Sequence, residues 1–162
     1  MVRPSLSAKV LTALAGRRLA TAESLTGGGI GAAITSVSGA SAVFAGGVIS
    51  YTNEVKNQVL GVPVEVLNTC GAVSAPVAKA MAEGVRRITG ADLGVSVTGV
   101  AGPNRDDRDN EVGTVYLAVS TAQITLVTLF HFDGDRTAIR NAAADTAFSL
   151  LMQQLNENQP TN

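Results

Sequence analysis

The chain has 162 residues, with one cysteine, one histidine and no tryptophan. Each scarcity excludes something. Cys70 has no second cysteine to pair with, so an internal disulfide is ruled out and the pattern reads as that of a reducing compartment. One Cys and one His cannot build a Cys/His zinc site. Any Ser–His or Cys–His mechanism would have to run through His131 alone. Charge is sparse as well: 12 Lys and Arg against 13 Asp and Glu leave a net −1, with no basic excess to draw nucleic acid. No stretch approaches the ~18 consecutive apolar residues of a membrane span. The first seven residues carry Arg3 but no apolar core of signal-peptide length. The expectation is a single cytoplasmic domain over 1–162, with 155–162 as a frayed polar tail, able to bury about 70% of its unfolded surface.

What is plentiful is glycine, 17 residues, set among segments whose hydrophobic period keeps changing. Ser5 suits the cap of a helix with Val10, Leu11 and Leu14 inward, stopped near Gly16. Residues 18–22 read as a strand, and 26–35 as a helix entered through glycines. Residues 43–50 read as a strand interrupted by Gly46-Gly47. Asn53 suits the cap of a helix to Leu60, with Val55, Val59 and Leu60 inward and Gly61 ending it. Pro63 opens a short helix to about Thr69. Ser74 caps the next, with Val77, Met81, Val85 and Ile88 on one face and Gly90 as its stop. Residues 93–97 read as a strand, and 112–120 and 124–132 as an antiparallel hairpin around Thr121-Ala122. An alanine-rich helix over 138–155 closes the chain. Five strands interleaved with helices predict a layered α/β domain with a mixed sheet.

Four segments are placed for chemistry. Thr21-Ala22-Glu23-Ser24-Leu25-Thr26-Gly27-Gly28-Gly29 lies at a strand-to-helix turn, where helix amides face ligands in open α/β sheets. It reads equally as a capping segment, since Ser and Thr cap helices and Gly serves packing. The glycines fit G-x-G-x-x-A through Ala32, but the next strand end, Val48 to Thr52, lacks the acid a dinucleotide fold requires. No phosphate-loop lysine follows them, and no serine sits in a G-x-S-x-G elbow. Tyr51-Thr52-Asn53-Glu54-Val55-Lys56 ends the second strand. A lysine kept from water there can act as a general base, although an arbitrary helical lysine is usually solvated. Val97-Thr98-Gly99-Val100-Ala101-Gly102-Pro103 brings a hydroxyl and two glycines to a third strand end. Three such ends on one sheet edge suggest a pocket. Arg136 and Arg140, one helical turn apart, could clamp a phosphate or simply begin a solvated helix. Strand alternation puts Ile124, Leu126, Phe130 and Phe132 on one face and Val127, Leu129 and His131 on the other, away from the glycine turns. If Ser24 is a nucleophile, Lys56 is therefore its placed base, and such a pair needs no metal.

Taken in order, the motifs are Ala22-Glu23-Ser24-x-Thr26-Gly27-Gly28, Gly39-Ala40-Ser41-Ala42-Val43-Phe44-x-Gly46-Gly47-Val48, Tyr51-x-Asn53-Glu54-x-Lys56, Gly71-Ala72-Val73-Ser74, Thr98-Gly99-x-Ala101-Gly102-Pro103, Val112-Gly113-Thr114-Val115-Tyr116 and Gly134-Asp135-Arg136. Over 21–155 they resemble the C-terminal domain of the competence/damage-inducible protein A (CinA) family, in its stand-alone form. The resemblance implies a three-layer α/β/α domain with a mixed five-stranded sheet, and a homodimer. It implies a metal- and cofactor-independent nicotinamide-nucleotide amidase, which hydrolyses nicotinamide mononucleotide to nicotinate mononucleotide and ammonia. The alternative is a catalytically silent nucleotide-binding or regulatory module of the same fold. Carried onto matching positions, Ser24 would attack the amide carbon, Lys56 would accept its proton, and Tyr51 and Thr98 would orient the pair or the substrate. The expected substrate-binding set is Glu23, Thr26, Gly27, Gly28, Asn53, Gly99, Gly102, Arg136 and Arg140. Within it, amides from Thr26 to Gly28 would form an oxyanion hole, and Arg136 or Arg140 would hold the phosphate. No nucleic-acid or membrane partner is expected. Two departures stand out. Leu25 occupies a position usually held by Cys, and a charged loop over 104–111 replaces a glycine-rich, proline-bearing one. Such a loop could cover a pocket and change which nucleotide fits, or be surface variation alone.

Overall fold

Two parallel neighbours of one apolar strand, and then a hairpin, make the sheet of this protein. A computed structural model describes residues 5–157. In chain order the elements are α1 (Leu6–Leu14), β1 (Leu19–Glu23), α2 (Gly29–Thr35), a 3-10 turn (Ala40–Ala42), β2 (Phe44–Ile49), α3 (Asn53–Gln58), α4 (Val64–Cys70), α5 (Ala75–Thr89), β3 (Leu93–Gly99), β4 (Thr114–Ser120), β5 (Thr125–His131) and α6 (Arg136–Glu157). The sheet order is β2-β1-β3-β4-β5. β1 pairs in parallel with β2 and β3, whereas β4 runs antiparallel to both β3 and β5. Five strands and a mixed sheet match the expectation, as does the hairpin.

Alternation along the central strands loads both faces. Leu19 of β1, Leu93, Val95 and Val97 of β3, and Val115, Leu117 and Val119 of β4 pack with Val10, Leu14, Ile30, Ile34 and the inner side of α6. Ala20 and Ala22 turn the other way, to Leu60, Leu67, Val77, Met81 and Val85 of the second helical layer. Close approach of α5 to β3 explains the small residues there. A Cβ at Gly94 would collide with the Ala82 carbonyl, and Ser96 Oγ donates to the Ala78 carbonyl at 2.6 Å.

Several boundaries differ from the sequence expectation. The cap of α3 is Thr52, whose hydroxyl accepts from the Val55 amide at 3.3 Å; Asn53 is already helical. Pro63 is itself the cap of α4. Ser74 precedes α5, but its hydroxyl donates back to the Gly71 carbonyl at 2.8 Å, and the proline in the first turn needs no amide partner. Val59 and Ile88 are exposed, because α3 ends before Val59 and α5 has turned Ile88 past its buried face. α6 begins at Arg136 and continues to Glu157, so the first part of the expected tail is helical; 158–162 lie outside the described residues. No described helix is long and apolar enough to cross a membrane.

The topology brings one sheet edge into focus. The C-terminal ends of β1, β2 and β3 share it, with the start of β4 and the end of β5. α6 departs from the same edge, which is how arginines far along the chain reach residues near Ser24.

Candidate active site

The turn after β1 puts Ser24 at the sheet edge, its amide donating to the Val97 carbonyl of β3 at 3.0 Å. After β2 the chain turns through Ser50, whose amide donates to the Glu23 carbonyl at 2.8 Å, and enters α3. One turn into that helix Lys56 points back under the strand ends. It is 1% exposed. Its Nζ lies 3.0 Å from Ser24 Oγ and 2.7 Å from the Ser50 carbonyl oxygen, to which it donates. Burial strips water from the ammonium and lowers its pKa from 10.5 to about 8. About one-tenth of such a lysine is neutral at pH 7. A neutral amine within hydrogen-bond reach of a hydroxyl is the arrangement that activates a serine without histidine.

A cleft of about 190 Å³ opens beside this pair, lined by Ser24, Leu25, Tyr51, Asn53, Lys56, Ala72, Val73, Thr98, Gly99, Ala101 and Arg136. No carboxylate lines it, and its two charged side chains are both basic, so it favours an anionic ligand. Arg136 is held ready: one terminal nitrogen donates to the Gly102 carbonyl at 2.6 Å and the other to Tyr51 Oη at 2.9 Å. Thr98 Oγ1 donates to the Ala72 carbonyl at 2.8 Å and fixes the wall formed by Ala72 and Val73. Larger open grooves of about 600 and 540 Å³ lie at the far end of the sheet, around Arg86 and the β4–β5 turn; the lysine of the first, Lys79, is exposed and faces Glu83 at 3.9 Å.

The expected residues thus divide. Ser24, Lys56, Tyr51, Thr98, Asn53, Gly99 and Arg136 gather at the cleft. Glu23 does not join them. It is 2% exposed and turned inward, accepting from Thr26 Oγ1 at 2.6 Å and from the Ile30 and Gly31 amides at 2.8 and 3.0 Å. Those bonds spend its carboxylate on the first turn of α2 and its entry loop, which the helix dipole favours. Thr26 is buried by the same contact. Arg140 also faces elsewhere: its Nε donates to the Leu25 carbonyl at 2.9 Å and a terminal nitrogen to the Thr26 carbonyl at 3.2 Å. Gly27 and Gly28 take left-handed backbone conformations that carry the loop into α2, and Gly102 contributes its carbonyl to Arg136. The amide of Gly27 donates to the Ser24 carbonyl at 3.1 Å, which removes it from the expected oxyanion donors.

The loop over 104–111 lines no part of the cleft. Asp106 ties it together through the Arg108 and Asn110 amides, and Arg108 donates to the Asn68 and Thr69 carbonyls at the end of α4. His131 is exposed on β5. Cys70 is a free, exposed thiol. Ser50, Leu25, Ala72 and Val73 belong to the site without having been named as site residues, and Ala101 enters it from the expected third strand end. The carbonyl of Ser50 and the wall at Ala72 act through backbone position, which side-chain chemistry does not announce; only the presence of Gly71-Ala72-Val73-Ser74 among the motifs pointed to that wall.

A family model described as the CinA C-terminal domain matches residues 4–155. A CinA-like protein of Geobacter sulfurreducens is 49% identical over 140 residues, covering 86% of this chain and 34% of that protein. A putative competence-damage inducible protein of Desulforudis audaxviator is 44% identical, with 87% and 34% covered. This chain therefore spans about a third of the length of those curated relatives. Among solved structures, the competence damage-inducible protein A of Klebsiella pneumoniae superposes with a TM-score of 0.93 at 34% identity, covering 95% of this chain and 97% of that one. A competence/damage inducible protein of Agrobacterium tumefaciens gives 0.88 at 38% identity, with 96% and 99% covered.

Proposed function

The chain belongs to the CinA C-terminal domain family, and from that membership and the geometry of its cleft we propose that it is a nicotinamide-nucleotide amidase. The observation that carries this reading is the buried Lys56 Nζ, 3.0 Å from Ser24 Oγ. Neutral Lys56 takes the Ser24 proton as Oγ bonds to the carboxamide carbon. The tetrahedral intermediate then collapses, the C–N bond breaks, and protonated Lys56 delivers its proton to the departing ammonia. Water, deprotonated by the same lysine, hydrolyses the acyl-serine ester and releases the carboxylate. Arg136, preset by Gly102 and Tyr51, offers its charge to the phosphate of nicotinamide mononucleotide. A cleft without carboxylates supports an anionic substrate. We propose a homodimer as the assembled form, checked by light scattering.

The test is ammonia release from nicotinamide mononucleotide by the purified protein. Ser24→Ala is expected to abolish release, by a factor of 1,000 or more on the scale of nucleophile removal, while the melting temperature holds. Release at the wild-type rate in that variant would overturn the serine assignment. Stabilisation of the wild type by the nucleotide with no ammonia formed would instead favour the silent binding module.

A further inference from the structure

Arg140 stands one helical turn beyond Arg136 yet serves another purpose. Its guanidinium lies in a groove of about 320 Å³ lined by Thr26, Gly29, Ala33, Asn141, Ala144 and Asp145, which shares no residue with the cleft. From that side it grips two consecutive carbonyls, Leu25 at 2.9 Å and Thr26 at 3.2 Å, immediately after the nucleophile. In a trans peptide the C=O and the following N–H point in opposite directions. Holding the Leu25 carbonyl toward Arg140 therefore turns the Thr26 N–H away from that groove. Holding the Thr26 carbonyl likewise turns the Gly27 N–H away, and that amide is found donating to the Ser24 carbonyl at 3.1 Å. Thr26 is only 2% exposed, and among the described residues its amide donates to no acceptor. The Gly28 amide is likewise without an acceptor among the described residues, but it is the Thr26 N–H whose direction the Arg140 contact fixes, and donors in so buried a residue are nearly always paired. The geometry points to Arg140 as a positioning residue: by clamping the Leu25 and Thr26 carbonyls it aims the Thr26 amide at the oxyanion that forms when Ser24 is acylated, an inference that rests on the amidase reading for its substrate.

The clamp acts where charge develops, so its loss falls on the transition state and leaves ground-state binding intact. Arg140→Ala is expected to lower kcat for ammonia release about 100-fold with KM within about threefold, the size of one lost oxyanion donor. Added methylguanidine is expected to restore part of that kcat, which a general loss of packing would not allow. Arg140→Lys, able to reach one carbonyl at a time, is expected to fall between and serves if the alanine variant does not fold. A tenfold rise in KM with kcat retained would overturn the proposal and make Arg140 a phosphate ligand. Unchanged kinetics would overturn it too. The burst of nitrophenolate from 4-nitrophenyl acetate, absent in Ser24→Ala, provides a reading independent of the nucleotide. A wild type that shows the burst but releases no ammonia refutes the amidase assignment, and the burst rate in Arg140→Ala then decides the clamp by itself.

Discussion

In the proposed reaction, a lysine whose pKa sits near 8 would tie turnover directly to pH. Lys56 would have to be neutral to accept the Ser24 proton, and its neutral fraction falls tenfold for each pH unit below that pKa. The expected profile of kcat/KM rises with a slope of one in log units up to about pH 8 and flattens above it. A flat profile from pH 6 to 9 would show that Lys56 does not limit the rate. The cause is desolvation at 1% exposure, and the sequence contains only its precondition, a lysine one turn into a helix at a strand end. Composition confined any histidine mechanism to His131, and its place on β5, away from the glycine turns, set that residue aside. Glu23 and Arg140 mark the limit of that reading. As charged side chains beside glycine turns they looked like substrate ligands, but folding supplied each with backbone partners of opposite polarity. Which partner a charged group meets is a matter of three-dimensional direction, and residue type does not carry it.

Elements were more legible than individual contacts. Hydrophobic period and capping chemistry located the helices and strands to within a few residues, because burying one face of a helix or strand imposes a spacing on the chain itself. The cap expected at Asn53 and the first-turn place expected for Pro63 each shift by one residue; at α3 the Thr52 hydroxyl caps as well as an Asn53 amide oxygen would. Gly84 shows what element-level reasoning alone would get wrong. By helix propensity, Gly84→Ala inside α5 should stabilise by about 1 kcal/mol. In the fold, a Cβ there would overlap the Leu60 carbonyl oxygen, with the carbonyl carbon 2.9 Å away. Backbone cannot yield as a side-chain tip can. The variant is expected to lose about 2 kcal/mol in urea denaturation, within the usual range for overpacking. An increase in stability would mean that α5 can lift from the Leu60 backbone without penalty.

At the scale of the whole molecule, burying Lys56 opposes folding. The unfolded lysine titrates near 10.5 and the folded one near 8, so between those values the unfolded chain binds more protons. Stability should therefore rise with pH across that window, by about 3 kcal/mol for this one group, and the contribution is lost as pH falls through 8. Lys56→Met removes the titrating group. It is expected to be inactive yet no less stable than the wild type at pH 7, and to lack the rise between pH 8 and 10.5, both read from denaturation curves. A loss above 1 kcal/mol at pH 7 would show that the bond to the Ser50 carbonyl outweighs the desolvation.

The amino-acid sequence by itself determined the layered α/β class, the five strands, the exclusion of a Cys/His zinc site, the confinement of histidine chemistry to His131, and the glycine-marked strand ends bearing Ser24, Lys56 and Thr98. Those properties depend on local period and composition, which are written along the chain. Only the tertiary structure decided that Lys56 Nζ meets Ser24 Oγ, that Arg136 faces the cleft while Arg140 grips the loop behind it, and that the 104–111 loop is pinned to α4 away from the cleft. Each of those depends on the strand order β2-β1-β3-β4-β5 and on the direction in which a side chain leaves its helix. Strand order and side-chain direction arise from packing among residues as much as 115 positions apart, and no local pattern encodes that.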